Sequence, residues 1–225
     1  MEYNGPETAD LRDVCALNAA FLEYLSSNNG EQLRRELPAS LRPAVVALSS
    51  RQIERLAAAP FLLMSLSESD DTYWDRLMPD RPVRDLFTPS HSAADPLAQI
   101  ASAALAFLWQ LARKNPYAVR LICGASLNWC EQLAACTLLH VLQRAIDDQR
   151  VVLPRLAEDS VFWHRLLGAG ISSESGVRRA SHLSALQTVL TPVVVTTNHR
   201  LRSAACYSSV PTLEIREQCK PHDDE

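Results

Sequence analysis

Positive charge gathers with little opposing acid toward the end of this chain, on Arg178, Arg179 and His182, with Arg200 and Arg202 further on. Guanidinium groups fork bidentately onto carboxylates and phosphates, so these residue types point to recognition of an anionic group. Their surroundings agree in sign. Residues 161–213 hold five arginines against Glu174 alone, a net of +4, whereas residues 1–95 hold fifteen acids against nine bases, a net of −6. A protein of net charge −4 can therefore carry a local basic face. These five residues form the predicted binding set. Their expected counterpart is an acidic surface, on another molecule or on the chain's own N-terminal half.

The segment 162–182 suggests a second use for the same residues. An apolar helix, then Gly170-Ile171-Ser172, then a serine-capped helix bearing Arg178 and Arg179 resembles the turn of a helix-turn-helix, whose second helix offers its early residues to a major groove. Gly176 stands where a helix-stabilising or apolar residue is expected, and Val177 comes about one position late. Phosphate attraction also asks for more positive charge than the chain carries overall, which disfavours nucleic acid. The helical pattern sets Arg178, Arg179 and His182 on a polar face opposite Val177, Ala180, Leu183 and Leu186. It predicts a solvated basic face and a packed apolar one.

Other candidate chemistries lack support. Cys136 and His140 stand four apart with Cys130 upstream, a spacing that can bring ligands to one metal on a continuous helix, but neither C-x-x-C nor H-E-x-x-H occurs. Buried thiols and a core histidine are the simpler expectation, with no metal. Gly124-Ala125-Ser126-Leu127-Asn128 begins like a nucleophile elbow without the final glycine or a preceding strand, and Ser126 serves better as a helix cap. Glu158, Asp159 and His164 are acid/base types whose adjacency in sequence does not make a site. Neither G-x-G-x-x-G nor G-x-x-x-x-G-K-[ST] occurs among only six glycines, which disfavours the common nucleotide-dependent enzymes. No catalytic residue and no cofactor is predicted.

The elements that must position these residues read as helices. From Leu97 to Ala112 only Gln99, Ser102 and Gln110 are polar, so this helix is expected at the centre of the core with little of its circumference wetted. Thr8 or Asp10 can cap a first helix running to about Ser27, and short helices follow over 31–37, 40–49 and 51–59, the last capped by Ser50. The apolar run Phe61–Leu66 fits a buried helix or strand equally by period, and its helical neighbours favour helix. A long helix is expected from Ser126 to Asp147-Asp148, and two more over 158–167 and 173–190, the second capped by Ser172 or Ser173. Val193–Thr197 is the one strongly β-branched run and could pair with 205–210 as a small hairpin.

The predicted fold is thus an all-α, bundle-like domain with a possible β-hairpin or extended segment near 192–210. Its expected organisation is an acidic helical part over 1–78, a proline-rich connection over 79–96, a helical core over 97–190, and an extended or hairpin segment with an acidic tail over 191–225. The six cysteines follow no framework spacing, and Met1–Asp10 has neither the cationic nor the apolar region of a secretory signal, so a cytoplasmic protein with reduced thiols and no membrane span is expected. Function is expected to be non-enzymatic and to rest on binding another protein or a second copy, in a possibly regulatory role. The alternatives are a DNA-binding regulator using 162–182, and a helical enzyme or small-ligand binder with an unmarked site between helices.

Overall fold

Proline placed first and a short polar side chain placed just before it start the two helices at the centre of the molecule. In the computed structural model, which describes residues 5–69, Trp74, 95–147 (backbone only for 144–147) and 152–191, Asp95 accepts a hydrogen bond from the Leu97 amide at 3.0 Å and opens α5 (Pro96–Lys114). The element order before it is α1 (Thr8–Ser26), α2 (Glu31–Arg34), α3 (Arg42–Val46), α4 (Ser50–Ala57) and β1 (Met64–Ser65). After it come α6 (Pro116–Cys123), α7 (Leu127–Ala135), α8 (Leu138–Asp147), β2 (Leu153–Pro154), α9 (Ser160–Gly168) and α10 (Ser175–Leu190). Asn115 repeats the device at α6, its side chain accepting from Ala118 at 3.1 Å, and Gly124, with φ +71°, ends that helix in the left-handed conformation. The fold is all-α, and among the described residues it holds one two-residue antiparallel pair, β1 with β2. The anticipated hairpin near 192–210, the acidic tail and residues 79–94 of the proline-rich connection lie outside the described residues, as do Arg200 and Arg202.

α5 packs against α1, α6, α7 and α8 and buries Ala98, Ala101, Ala104, Leu105, Leu108, Leu111 and Ala112. The expectation of nearly all-round burial holds for that side only, because Gln99, Ala103 and Gln110 are exposed. Beside the two glutamines the open side presents Ala103 and Ala106, which offer little apolar area and so little drive to cover it. One cluster of buried side chains runs from Val14 on α1 through α5 to Ala185 on α10.

Phe61–Leu66 is extended rather than helical, and its backbone partners explain why. The Phe61 carbonyl accepts from Asn18 Nδ2 at 2.9 Å, the Leu62 amide donates to the Ile122 carbonyl at 2.9 Å, and the Leu63 amide donates to Asn18 Oδ1 at 2.8 Å. Arg155 donates through Nε to the Leu62 carbonyl and through NH2 to the Met64 carbonyl, and its own amide donates to the Leu63 carbonyl at 2.9 Å. Every one of these groups is satisfied from a distant element, leaving none for a helical ladder.

The helix expected from Ser126 to Asp147-Asp148 ends where expected but is broken at Cys136, whose ψ of 156° is extended. The Trp109 indole donates to the Cys136 carbonyl at 2.8 Å, and Thr137 Oγ1 accepts from the His140 amide at 3.3 Å, a cap that starts α8. Smaller shifts concern caps. Glu7 with Asp10, and Ser49 with Gln52, form capping boxes for α1 and α4, and Glu174 rather than a serine stands before α10.

Candidate functional site

Arg178, Arg179 and His182 all lie on α10, and the face this helix turns inward decides what they can do. Its buried residues are Ser181, His182 and Ala185, whereas Leu183 is 51% exposed and Val177 40%. The predicted orientation is overturned at Ala180, Leu183 and His182, whereas Leu186 packs against the core as expected. Ala180 and Leu183 point outward with Val177 at the edge, and His182 points inward. At Ser181 and His182 the partner surface is backbone and small polar groups, while Ala185, Leu186 and Val189 pack against the apolar core. Ser181 Oγ donates to the Arg165 carbonyl of α9 at 3.1 Å, Arg165 reaches Ser184 Oγ at 2.8 Å, and the His182 ring lies over Gly170 in the turn Ala169–Ile171. Small residues at 181 and 185 allow that close approach, and a larger side chain at either would hold the elements apart.

Where α10 meets the chain after α4, a concavity of about 410 Å³ opens, lined by Ala58, Pro60, Ser175, Arg178, Arg179, His182 and Leu183. Its charged lining is arginine alone, and among the described residues no carboxylate forms an ion pair with Arg178 or Arg179. Arg178 donates one hydrogen bond, from NH1 to the Ser172 carbonyl at 2.8 Å, and Arg55 donates likewise to the Ile171 carbonyl at 3.2 Å. These bonds hold the turn before α10 and leave Arg178 with further donors. Arg179 is exposed. Burial pushes the His182 imidazole below its ordinary value, the Gly170 backbone opposing and the Arg178 charge assisting, and its Nε2 has no hydrogen-bond partner. Three of the five predicted binding residues therefore share one concavity.

The remaining candidates are not brought together. Cys136 and His140 flank the break between α7 and α8, so the helical spacing that would have paired them is absent. Among the described residues no group of three potential ligands could hold a metal ion. Burial pushes the Cys130 thiol up to about 11 and raises that of Cys123 further, so both are protonated at neutral pH and neither is a ready nucleophile. Ser126 caps α7, accepting from the Trp129 amide at 3.1 Å, and Asp159 caps α9, accepting from Phe162 at 2.9 Å, while Glu158 and His164 are exposed.

Sequence reasoning missed a buried pair. Arg155 NH1 lies 2.6 Å from Glu68 Oε1, with both side chains about 95% withdrawn from solvent. NH1 also donates to the Cys123 carbonyl, and Glu68 Oε2 accepts from Ser65 Oγ and the Leu66 amide. These bonds run to backbone groups, to the Ser65 hydroxyl or between the two side chains, and no described cavity opens onto the pair. It is a clasp rather than a reactive centre. The available signal was an arginine set between Pro154 and Leu156 with an acid just past the apolar run 61–66.

No protein-family model, no curated protein sequence and no solved structure matches this chain. Among the described residues no helix is long and apolar enough to cross a membrane.

Proposed function

We propose that the protein is a non-enzymatic binding module that docks an acidic segment of a partner protein in the concavity formed by α10 and the chain around Ala58 and Pro60. The observation that carries this reading is the convergence of Arg178 and Arg179 on one concavity whose lining holds no carboxylate. Pro60 and Leu183 supply an apolar wall beside them. A carboxylate-bearing segment with one apolar anchor suits that combination, with charge giving orientation and on-rate and the apolar contact giving residence.

The helix-turn-helix alternative has less support. Residues 169–174 separate α9 from α10, a longer connection than the three to four residues usual for that motif, and Arg178 is turned back onto Ser172. The enzymatic alternative has less support, because Ser175 and His182 line the same concavity but His182 Nε2 has no hydrogen-bond partner, so no base is engaged with the hydroxyl.

A labelled peptide of Glu and Asp residues with one leucine tests the proposal by fluorescence anisotropy. Arg179→Glu is the cleaner variant because Arg179 is exposed, and the double variant Arg178→Glu/Arg179→Glu is the stronger one. Both are expected to weaken binding by about tenfold or more, as added salt does for the unaltered protein. Binding that survives the double variant would sink the proposal. So would duplex DNA binding more tightly than the peptide and being lost in the same variants, which would favour the helix-turn-helix reading.

A further inference from the structure

The open face of α5, which carries Ala103 and Ala106, is one wall of a groove. Two hollows, of about 400 and 450 Å³, lie between α1 and α5 and share Leu17 and Ala103 as lining residues, so they join end to end. Along α1 the groove runs from Asp13 to Ser27 and along α5 from Gln110 back to Pro96, the two helices lying antiparallel. At 1.5 Å per residue each wall is about 21 Å long, or four helical turns. Its floor is built from Leu17, Ala20, Ala103, Ala106 and Phe107, small side chains beside a few large ones. A third helix can approach closely over the alanines and seat large residues against Leu17 and Phe107, packing as a ridge into a groove.

The charged residues of the lining decide what kind of helix. They are Asp13 and Glu23, both exposed on α1, and no lysine or arginine lines either hollow. Ten positions apart on one helix, they lie about 15 Å from each other along its axis. The opposite rim offers the neutral amides Gln99 and Gln110. We infer that the α1–α5 groove receives a basic amphipathic helix of a partner protein, about four turns long, with large apolar residues on one side and lysines or arginines about ten positions apart facing Asp13 and Glu23. This goes beyond the acidic-segment site at α10, with the opposite charge preference and no shared residue. Together the two give the molecule two faces of opposite sign.

Two synthetic sixteen-residue helical peptides are the probes. They carry the same leucine face, and one bears lysine where the other bears glutamate at two flanking positions ten apart. Fluorescence anisotropy with the full chain is expected to show the lysine peptide binding at least about tenfold more tightly than its twin. Asp13→Lys/Glu23→Lys is expected to reverse the preference, and Ala103→Arg, at an exposed position, to abolish binding of both while the melting temperature is retained. Arg179→Glu should leave the lysine peptide's affinity unchanged, which separates failure here from failure at α10. The inference is overturned if the two peptides bind equally, if neither binds, or if Ala103→Arg leaves binding intact. It is equally overturned if sedimentation shows a dimer of the unaltered protein that Ala103→Arg dissociates, since a second copy would then fill the groove.

Discussion

α5 and α10 are both helices of mixed apolar and polar pattern, and they use that pattern in opposite senses. In α5 the leucines at 105, 108 and 111 face inward onto α1, α6, α7 and α8, and glutamines at 99 and 110 face solvent. In α10 Leu183 faces solvent, while a serine, a histidine and an alanine face inward. The difference lies in what each helix packs against. α5 meets helices that present large apolar side chains, and burial of like against like follows the hydrophobic area. The first half of α10 meets the α9 backbone and a glycine-containing turn, where side-chain hydrogen bonds and small size decide the face, and only its second half, with Ala185, Leu186 and Val189, meets the apolar core. A helix's apolar stripe therefore predicts its buried face only when its partner surface is also apolar.

The strongest test of this contrast is in α5. Leu105 and Leu108 are completely buried, and replacing either with alanine should lower stability in chemical denaturation by about 2–5 kcal/mol. Unchanged stability at both positions would remove α5 from the centre of the core. Next in size is overpacking of the close α10 contact. Ala185 is completely buried, so Ala185→Leu should cost about 1–3 kcal/mol, although leucine is a good helix former and more apolar than alanine. A stabilised Ala185→Leu variant would mean that the inward face had room for the large residues the sequence pattern puts there.

His182 gives a smaller effect, with a pH dependence whose sign is fixed. Its folded pKa is depressed by burial below the ordinary 6.5, so the unfolded chain takes up the proton first as pH falls. The stabilisation is fully present above about pH 6.5 and is lost as pH falls below that value, at no more than about 1.4 kcal/mol per pH unit for one proton. Denaturation midpoints between pH 7.5 and 5 should show the loss, and His182→Phe should remove this part of it. Because Nε2 is buried without a partner, the phenylalanine variant should also be no less stable than the unaltered protein at neutral pH. A pH profile identical in the two proteins would place the imidazole in solvent, on the face the sequence pattern assigned to it.

Those tests also mark what the sequence could and could not reveal. Element existence was legible wherever local pattern decided it, as with the apolar run from Leu97 to Ala112 that lies within α5, or Ser126 capping α7. Long-range partners were not. Phe61–Leu66 is extended because Asn18 and Arg155 take its backbone groups, and α7 and α8 separate because Trp109 takes the Cys136 carbonyl. Neither partner is near in sequence, and period alone cannot register them. At the candidate site the residue types of Arg178, Arg179 and His182 were legible. Their division between an exposed arginine, a half-buried arginine and a buried histidine was not, since it follows from the contact with Gly170 and Arg165.

The smallest expected effect is the most discriminating. On the pattern of its own sequence Leu183 belongs to the packed face of α10, and removing a packed leucine would cost about 2–5 kcal/mol. In the structure it is 51% exposed and lines the concavity with Arg178 and Arg179. Leu183→Ser should therefore change stability by no more than about 0.5 kcal/mol, most of it the weaker helix propensity of serine. The same variant should weaken the acidic peptide that carries a leucine anchor and leave a peptide without one unaffected, because the lost contact is apolar and the arginines remain. A large loss of stability would turn α10 over, set Arg178 and His182 in solvent and dissolve the concavity. A stable variant that still bound both peptides equally would keep the inverted helix but reduce Leu183 to an exposed apolar residue with no part in docking.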